Sequence, residues 1–98
     1  MNRLLRVQQL AERDILEAYE WYEGQRPELG DELLKSIDEC FSRIVENPLG
    51  YQLVHRKVRR ALTRRFPYCV YFVVTDTEVI VLAVLHGRGN PLRWRGRV

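Results

Sequence analysis

Hydrophobic positions along this chain change period several times, and the changes mark out its elements. From Arg3 to Gln9, Leu5 and Val7 alternate with Arg6 and Gln8, the two-residue period of a first or edge strand. From Leu10 to Glu23 the period lengthens. Ala11, Ile15, Ala18, Tyr19 and Tyr22 recur at helical spacing, Glu12, Glu17, Glu20 and Glu23 take other positions, and Gly24 offers a stop. Trp21 falls off this stripe and is expected to be partly exposed, where it either anchors a partner or covers a nearby loop. A second helix is expected to open at Pro27, whose fixed φ suits a first turn, with Glu28 and Asp31 near the positive end of the dipole. Leu29, Leu33, Ile37, Cys40, Phe41 and Ile44 form its stripe, and Asn47-Pro48 ends it. The short link Gly24 to Arg26 predicts an antiparallel helical hairpin, with Tyr19, Tyr22, Leu33, Ile37 and Phe41 in one core.

After the turn at Pro48 to Gly50 the pattern becomes that of strands. Val58–Phe66, Tyr68–Val74 and Glu78–His86 are expected to form an antiparallel meander, broken at Pro67 and turned around Asp76 and Thr77. The expected class is therefore α+β: a short N-terminal strand, a helical hairpin, then a three-stranded antiparallel meander with the hairpin on one face of the sheet. Both parities of the last two strands are apolar. Tyr68, Val70, Phe72 and Val74 alternate with Cys69, Tyr71 and Val73, while Ile80, Leu82 and Val84 alternate with Val79, Val81, Ala83 and Leu85. A hairpin covers one face only, so the other needs the C-terminal tail or a second protein. A partner is preferred, because Gly87 to Val98 is short and rich in arginine.

Size and charge narrow the picture. The 98 residues suffice for one modest core, so residues 1–98 are expected to be a single domain. Residues 1–49 carry 6 Lys/Arg against 11 Asp/Glu and residues 50–98 carry 10 against 2, which predicts one acidic and one basic face. No export signal is seen at the N-terminus and no run nears the ~18 apolar residues of a membrane span. A soluble, cytoplasmic protein with no membrane association is expected. Cys40 and Cys69 lie on apolar stripes without metal-like spacing, so they read as inert core thiols. No metal or cofactor is expected.

The charge concentrates between Arg64 and Trp94, where two apolar strands open on an arginine pair and close on His86-Gly87-Arg88. The layout, with Phe66-Pro67-Tyr68, Tyr71, Val84 to Arg88, Asn90-Pro91, Trp94, Trp21-Tyr22, the Pro27 helix start and Asn47-Pro48, resembles the ParE/RelE superfamily of bacterial toxin–antitoxin systems. The likeness spans nearly the whole chain and lies in the order of the motifs. It implies a small α+β toxin held inactive in a hetero-oligomer by a partly disordered antitoxin, ParD-like and of ribbon-helix-helix type, which would fold onto the hairpin and sheet and so cover the second sheet face. RelE-like members are ribosome-dependent endoribonucleases; characterised ParE-like members poison DNA gyrase.

Cleavage of RNA by its own 2′-hydroxyl needs a base, cations for the developing charge and an acid for the leaving oxygen. Arg65, Tyr68, His86 and Arg88 are the residues that would supply them. The nuclease branch, however, commonly opens this strand with Tyr-Arg where this chain has Tyr68-Cys69, and its lysine cluster shrinks here to Lys57. The resemblance therefore implies the gyrase-directed branch, with Arg59, Arg60, Arg64, Arg65, His86, Arg88 and Arg93 toward the target. Trp21, Tyr71, Val73, Val81, Arg93 and Trp94 are expected toward the antitoxin. Two alternatives stay open: a ribosome-dependent nuclease, and a non-toxic basic module that binds nucleic acid.

Overall fold

The computed structural model describes residues 3–89 and 92–97; Asn90 and Pro91 of the motif above lie outside them. Strand β1 (Leu4–Val7) leads into helices α1 (Gln9–Gln25) and α2 (Leu29–Glu46), which are followed by a 3-10 turn at Pro48–Gly50. Strands β2 (Gln52–His55), β3 (Val58–Leu62), β4 (Tyr68–Val74) and β5 (Glu78–His86) come next, then a single turn of helix, α3 (Leu92–Arg95). The α+β class and the order strand, hairpin, strands are as expected, but the sheet is larger. It has five strands in the order β1-β5-β4-β3-β2. β1 pairs in parallel with β5 while β2 to β5 run antiparallel.

Helix α1 runs through Gly24 to Gln25 and closes when the Arg26 N–H donates to the Tyr22 carbonyl at 3.2 Å. The second helix opens two residues after Pro27, because Glu28 takes a left-handed φ of 71° and breaks the helical path before Leu29. Its first turn is capped from the neighbouring helix: the Gly30 N–H donates to Glu23 Oε1 at 2.9 Å. A Cβ at residue 30 would lie 2.7 Å from the Tyr19 ring, so only glycine lets the helices approach this closely.

Sequence reading overran β3 and missed β2. β3 stops at Leu62 because Thr63 folds the chain back: its hydroxyl donates to the Phe66 carbonyl at 2.6 Å and its N–H to Tyr68 O at 3.0 Å, with Arg65 at φ 73° inside the loop. β2 pairs with β3 across the turn at Arg56-Lys57, where Arg56 takes φ 51°. No Asn-Gly or Asp-Gly pair marks this turn, so the usual hairpin signal is absent.

The sheet buries both faces. Between helices and sheet lie Ala11, Ala18, Leu33, Ile37, Cys40, Ile44, Ala61, Phe66, Val70, Phe72, Val79, Val81 and Val84, with Tyr22 and Phe41 packed against them. Tyr19 lies instead beside Gly30 on the hairpin's outer side. The opposite face holds Val58, Cys69, Tyr71, Leu82, Ala83, Leu85 and Trp94. Strict alternation along β5 fails at a β-bulge: Tyr71 faces Ala83 while Phe72 faces Val81, leaving Leu82 without a counterpart. Leu82 and Ala83 consequently share the outer face, and Val84 joins Val79 and Val81 toward the helices. The tail expected to be too short does supply cover. Trp94 is 4% exposed and stacks on Tyr71 with centroids 4.6 Å apart and planes 17° from parallel.

Candidate functional site

Four of the residues singled out from sequence converge. Trp21, Tyr68, His86 and Arg93 line a cleft of about 230 Å³, with Asp14, Glu17, Ala18, Val84 and Leu85 completing it. Glu17 and Trp21 are one turn apart on α1, so both face the opening. Tyr68 begins β4 opposite His86 at the end of β5, and their rings lie 5.6 Å apart. Edge-to-face contacts extend inward, with Trp21 against Tyr22 at 4.9 Å, Tyr22 against Phe66 at 5.1 Å and Tyr22 against Tyr68 at 6.1 Å. This aromatic chain fixes one wall.

The polar groups have defined states. Burial, with a smaller contribution from the Tyr22 phenol, raises the Tyr68 phenol above its ordinary range. Tyr68 is therefore a hydrogen-bond donor at neutral pH. The Arg88 N–H donates to His86 Nδ1 at 3.1 Å, so the neutral ring carries its proton on Nε2.

Beneath the cleft sits an ion pair that sequence reading missed. β1 ends opposite Val81, which leaves the bulged part of β5 without a strand on that side. Asp14 Oδ2 accepts from the Val84 N–H at 3.0 Å, and Arg97 Nη1 donates to the Leu82 carbonyl at 3.1 Å. The Arg97 guanidinium also forks onto Asp14, at 2.6 Å to Oδ2 and 3.2 Å to Oδ1. The two side chains are 12% and 3% exposed. Side chains thus complete the sheet edge where β1 runs out. A signal existed: Asp14 stands among Ala11, Ile15 and Ala18 on the apolar stripe of α1, and a carboxylate there calls for a buried cation.

The other candidates disperse. Arg59 donates to the carbonyls of Leu49 at 3.2 Å and Tyr51 at 2.7 Å, pinning the 3-10 turn to β3. Arg64 pairs with Glu39 at 3.1 Å. Arg65 pairs with Glu32 at 3.0 Å and lies over the Phe66 ring at 5.2 Å. Arg60 is exposed on the outer face beside Tyr71, and Arg88 is exposed next to His86. Of the residues expected toward an antitoxin, Trp21 is 58% exposed and Val73 half-buried on the outer face. Val81 is a correction: it is fully buried and packs toward the helices, so it presents no surface to a partner. Tyr71 and Trp94 are mostly buried against each other.

Among the described residues no group of three or more His, Cys, Asp or Glu is placed to hold a metal ion, and no helix is long and apolar enough to cross a membrane. Burial raises the Cys40 thiol to about 11, which removes it as a nucleophile at neutral pH.

Comparison with known proteins decides the family. Residues 5–91 match the family model described as ParE toxin of type II toxin-antitoxin system, parDE. The chain belongs to the ParE toxin family. It is similar to Toxin ParE2 of Mycobacterium tuberculosis, at 34% identity over 92 residues, covering 93% of this chain and 88% of that one. Among solved structures its fold matches a chain of the chromosomal ParDE toxin–antitoxin system from P. aeruginosa. That match has a TM-score of 0.77 and 19% identity, covering 86% of this chain and 95% of the other. A chain of the toxin–antitoxin complex RelBE2 from Mycobacterium tuberculosis matches with a TM-score of 0.60 and 20% identity, covering 88% and 99%. The α+β architecture of this ParE-family chain is thus shared with both of these solved chains.

Proposed function

We propose that this ParE-family toxin inhibits growth by poisoning DNA gyrase, and that a cognate ParD-like antitoxin of ribbon-helix-helix type holds it inactive. The observation that carries the reading is the loss of fixed cations from the nuclease set, although Tyr68, His86 and Arg88 stay together. Arg65 is held by Glu32 on α2, and Cys69, where the nuclease branch commonly has arginine, is a 3% exposed side chain on the outer face. A developing phosphorane would meet fewer fixed cations than cleavage asks for. Trp21, His86 and Arg93 remain gathered at one surface, as a macromolecular contact requires. Arg88 beside them and Arg60 on the outer face extend the cationic surface toward the target.

The test is a supercoiling assay with purified gyrase, relaxed plasmid and the isolated toxin. Loss of supercoiling or accumulation of cleaved complexes is expected, reversed by the protein encoded in the adjacent reading frame. Normal supercoiling at excess toxin would sink the reading. The ribosome-dependent nuclease remains the second reading, favoured by the Tyr68–His86 pair that lines the cleft. It predicts codon-linked transcript cuts that vanish in His86→Ala.

A further inference from the structure

The cations of the basic half fall into two groups. Of the 10 Lys/Arg in residues 50–98, Arg59 is held by backbone carbonyls, and Arg64, Arg65 and Arg97 by carboxylates. Among the described residues no ion pair reaches the others, Arg56, Lys57, Arg60, Arg88, Arg93 and Arg95, and all of them are exposed. The fold draws them into one band. Arg56 and Lys57 form the β2–β3 turn, Arg60 stands opposite Tyr71 on the outer face, and Arg95 lies over the Trp94 ring at 5.6 Å. Trp94 joins these parts, since it stacks on Tyr71 and meets the His55 ring at 5.8 Å. Arg93 and Arg88 continue the band to the cleft and His86. Acids are scarce along it. Residues 50–98 contain only Asp76 and Glu78. Glu78 is paired with Arg6, and Asp76 stands across a groove from Arg56 and Lys57. At the other end, Glu17 faces the cleft from α1.

We propose that this band binds the phosphate backbone of duplex DNA directly, without reading its sequence. A row of cations free of carboxylates is drawn to a polyanion of regularly spaced charge, and the arginines among them can fork onto phosphate oxygens. Single strands are the poorer ligand, because they bind by stacking bases on open aromatic rings. Here Trp94 and Tyr71 are 4% and 7% exposed and stack on each other, while the exposed Trp21 shares its cleft with Glu17. Selection of duplex RNA rests on its 2′-hydroxyls, and no lysine or arginine can accept a hydrogen bond from one. An acidic protein would want an apolar anchor at the centre of its contact, where the indole of the band is already buried. Under the gyrase reading the band would lie against the DNA that the enzyme holds. DNA alone is the probe below, so the two readings fail separately.

The test follows the fluorescence anisotropy of labelled DNA duplexes of two unrelated sequences, titrated with the full chain between about 50 and about 200 mM salt. Equal affinity for both is expected, falling about 10²–10³-fold across that range for about four to six phosphate contacts. Arg60→Ala, Arg95→Ala and Lys57→Ala are each expected to reduce the salt slope by about 1. Lys35→Ala, the same loss of charge at an exposed position on α2, is expected to leave it unchanged. Lys57→Ala, at an exposed turn, keeps the test decisive where a change at Arg60 or Arg95 disturbs the packing around Trp94. No binding at low salt, a sequence preference of about ten-fold or more, tighter binding of single strands or duplex RNA, displacement by polyglutamate at matched charge, or the same loss with Lys35→Ala would overturn the proposal.

Discussion

The two faces of one sheet are closed by very different covers. Toward the helices, Val70, Phe72, Val79, Val81 and Val84 lie under helices of 17 and 18 residues, and the seal is distributed over Leu33, Ile37, Cys40 and Ile44. The outer face is closed by one indole stacked on Tyr71, and the tail that carries it is tied to the sheet edge by one guanidinium forked onto Asp14. Val54, Val73 and Ile80 remain half-buried at its margins. Equal apolarity of sequence therefore does not mean equal stability. A distributed seal opens only when the whole domain opens, whereas a two-point seal permits local release of the tail.

That contrast can be broken most severely from the helix side. Phe72→Ala, at a fully buried position, is expected to cost about 4 kcal/mol, through lost transfer energy and the cavity left behind, read as a fall in the denaturation midpoint. Arg97→Ala strands the Asp14 carboxylate and is expected to cost about 3 kcal/mol. Adding Asp14→Ala should cost less than the two single changes summed, because the partners act as a unit; additivity in a double-mutant cycle would show the pair uncoupled. Trp94→Ala is expected to cost about 2 kcal/mol, and to speed tryptic cleavage after Arg93 and Arg95 more than it shifts the midpoint. Equal effects on both would mean that the tail is part of the global unit.

Two smaller measurements refine the comparison. Cys40, raised to about 11 by burial, should resist a thiol reagent at pH 8 until the helix face opens, so its labelling rate reports that face. Glu32 is held below its ordinary value by hydrogen bonds from Arg65 and then Arg26. Its folded value lies under its unfolded one, so its stabilising contribution is complete above the unfolded value near 4.5 and lost as pH falls below it. Arg65→Ala should bring the Glu32 titration, followed by NMR, back toward the ordinary value.

What was legible in sequence follows the reach of the forces involved. The stripe Leu33, Ile37, Cys40 and Ile44 has a strong local period, and α2 is where it was expected from Leu29 onward. Bounds set by long-range contacts were not legible. Glu23 caps α2 from another helix, and β2 exists because β3 is there to pair with it. The bulge at Leu82 inverted the expected parity beyond it, since alternation carries no mark of an inserted residue. The cleft was half visible. Trp21, Tyr68, His86 and Arg93 were noted one by one, but only the fold joins positions 21 and 93. Arginine density misled in part, because a cation's role depends on its nearest acid, and the acids meeting Arg64 and Arg65 lie more than twenty residues away on α2.

The parallel pairing of β1 with β5 also sets an order of events during synthesis. Leu4 leaves the ribosome first, yet its register partner is Glu78, and Val7 waits for Val81. At roughly 5–20 residues per second, the opening strand spends several seconds exposed before its neighbour exists. The closing tie between Arg97 and Asp14 comes later still. A fold tied together by residues so far apart along the chain already carries both long helices before its sheet can close.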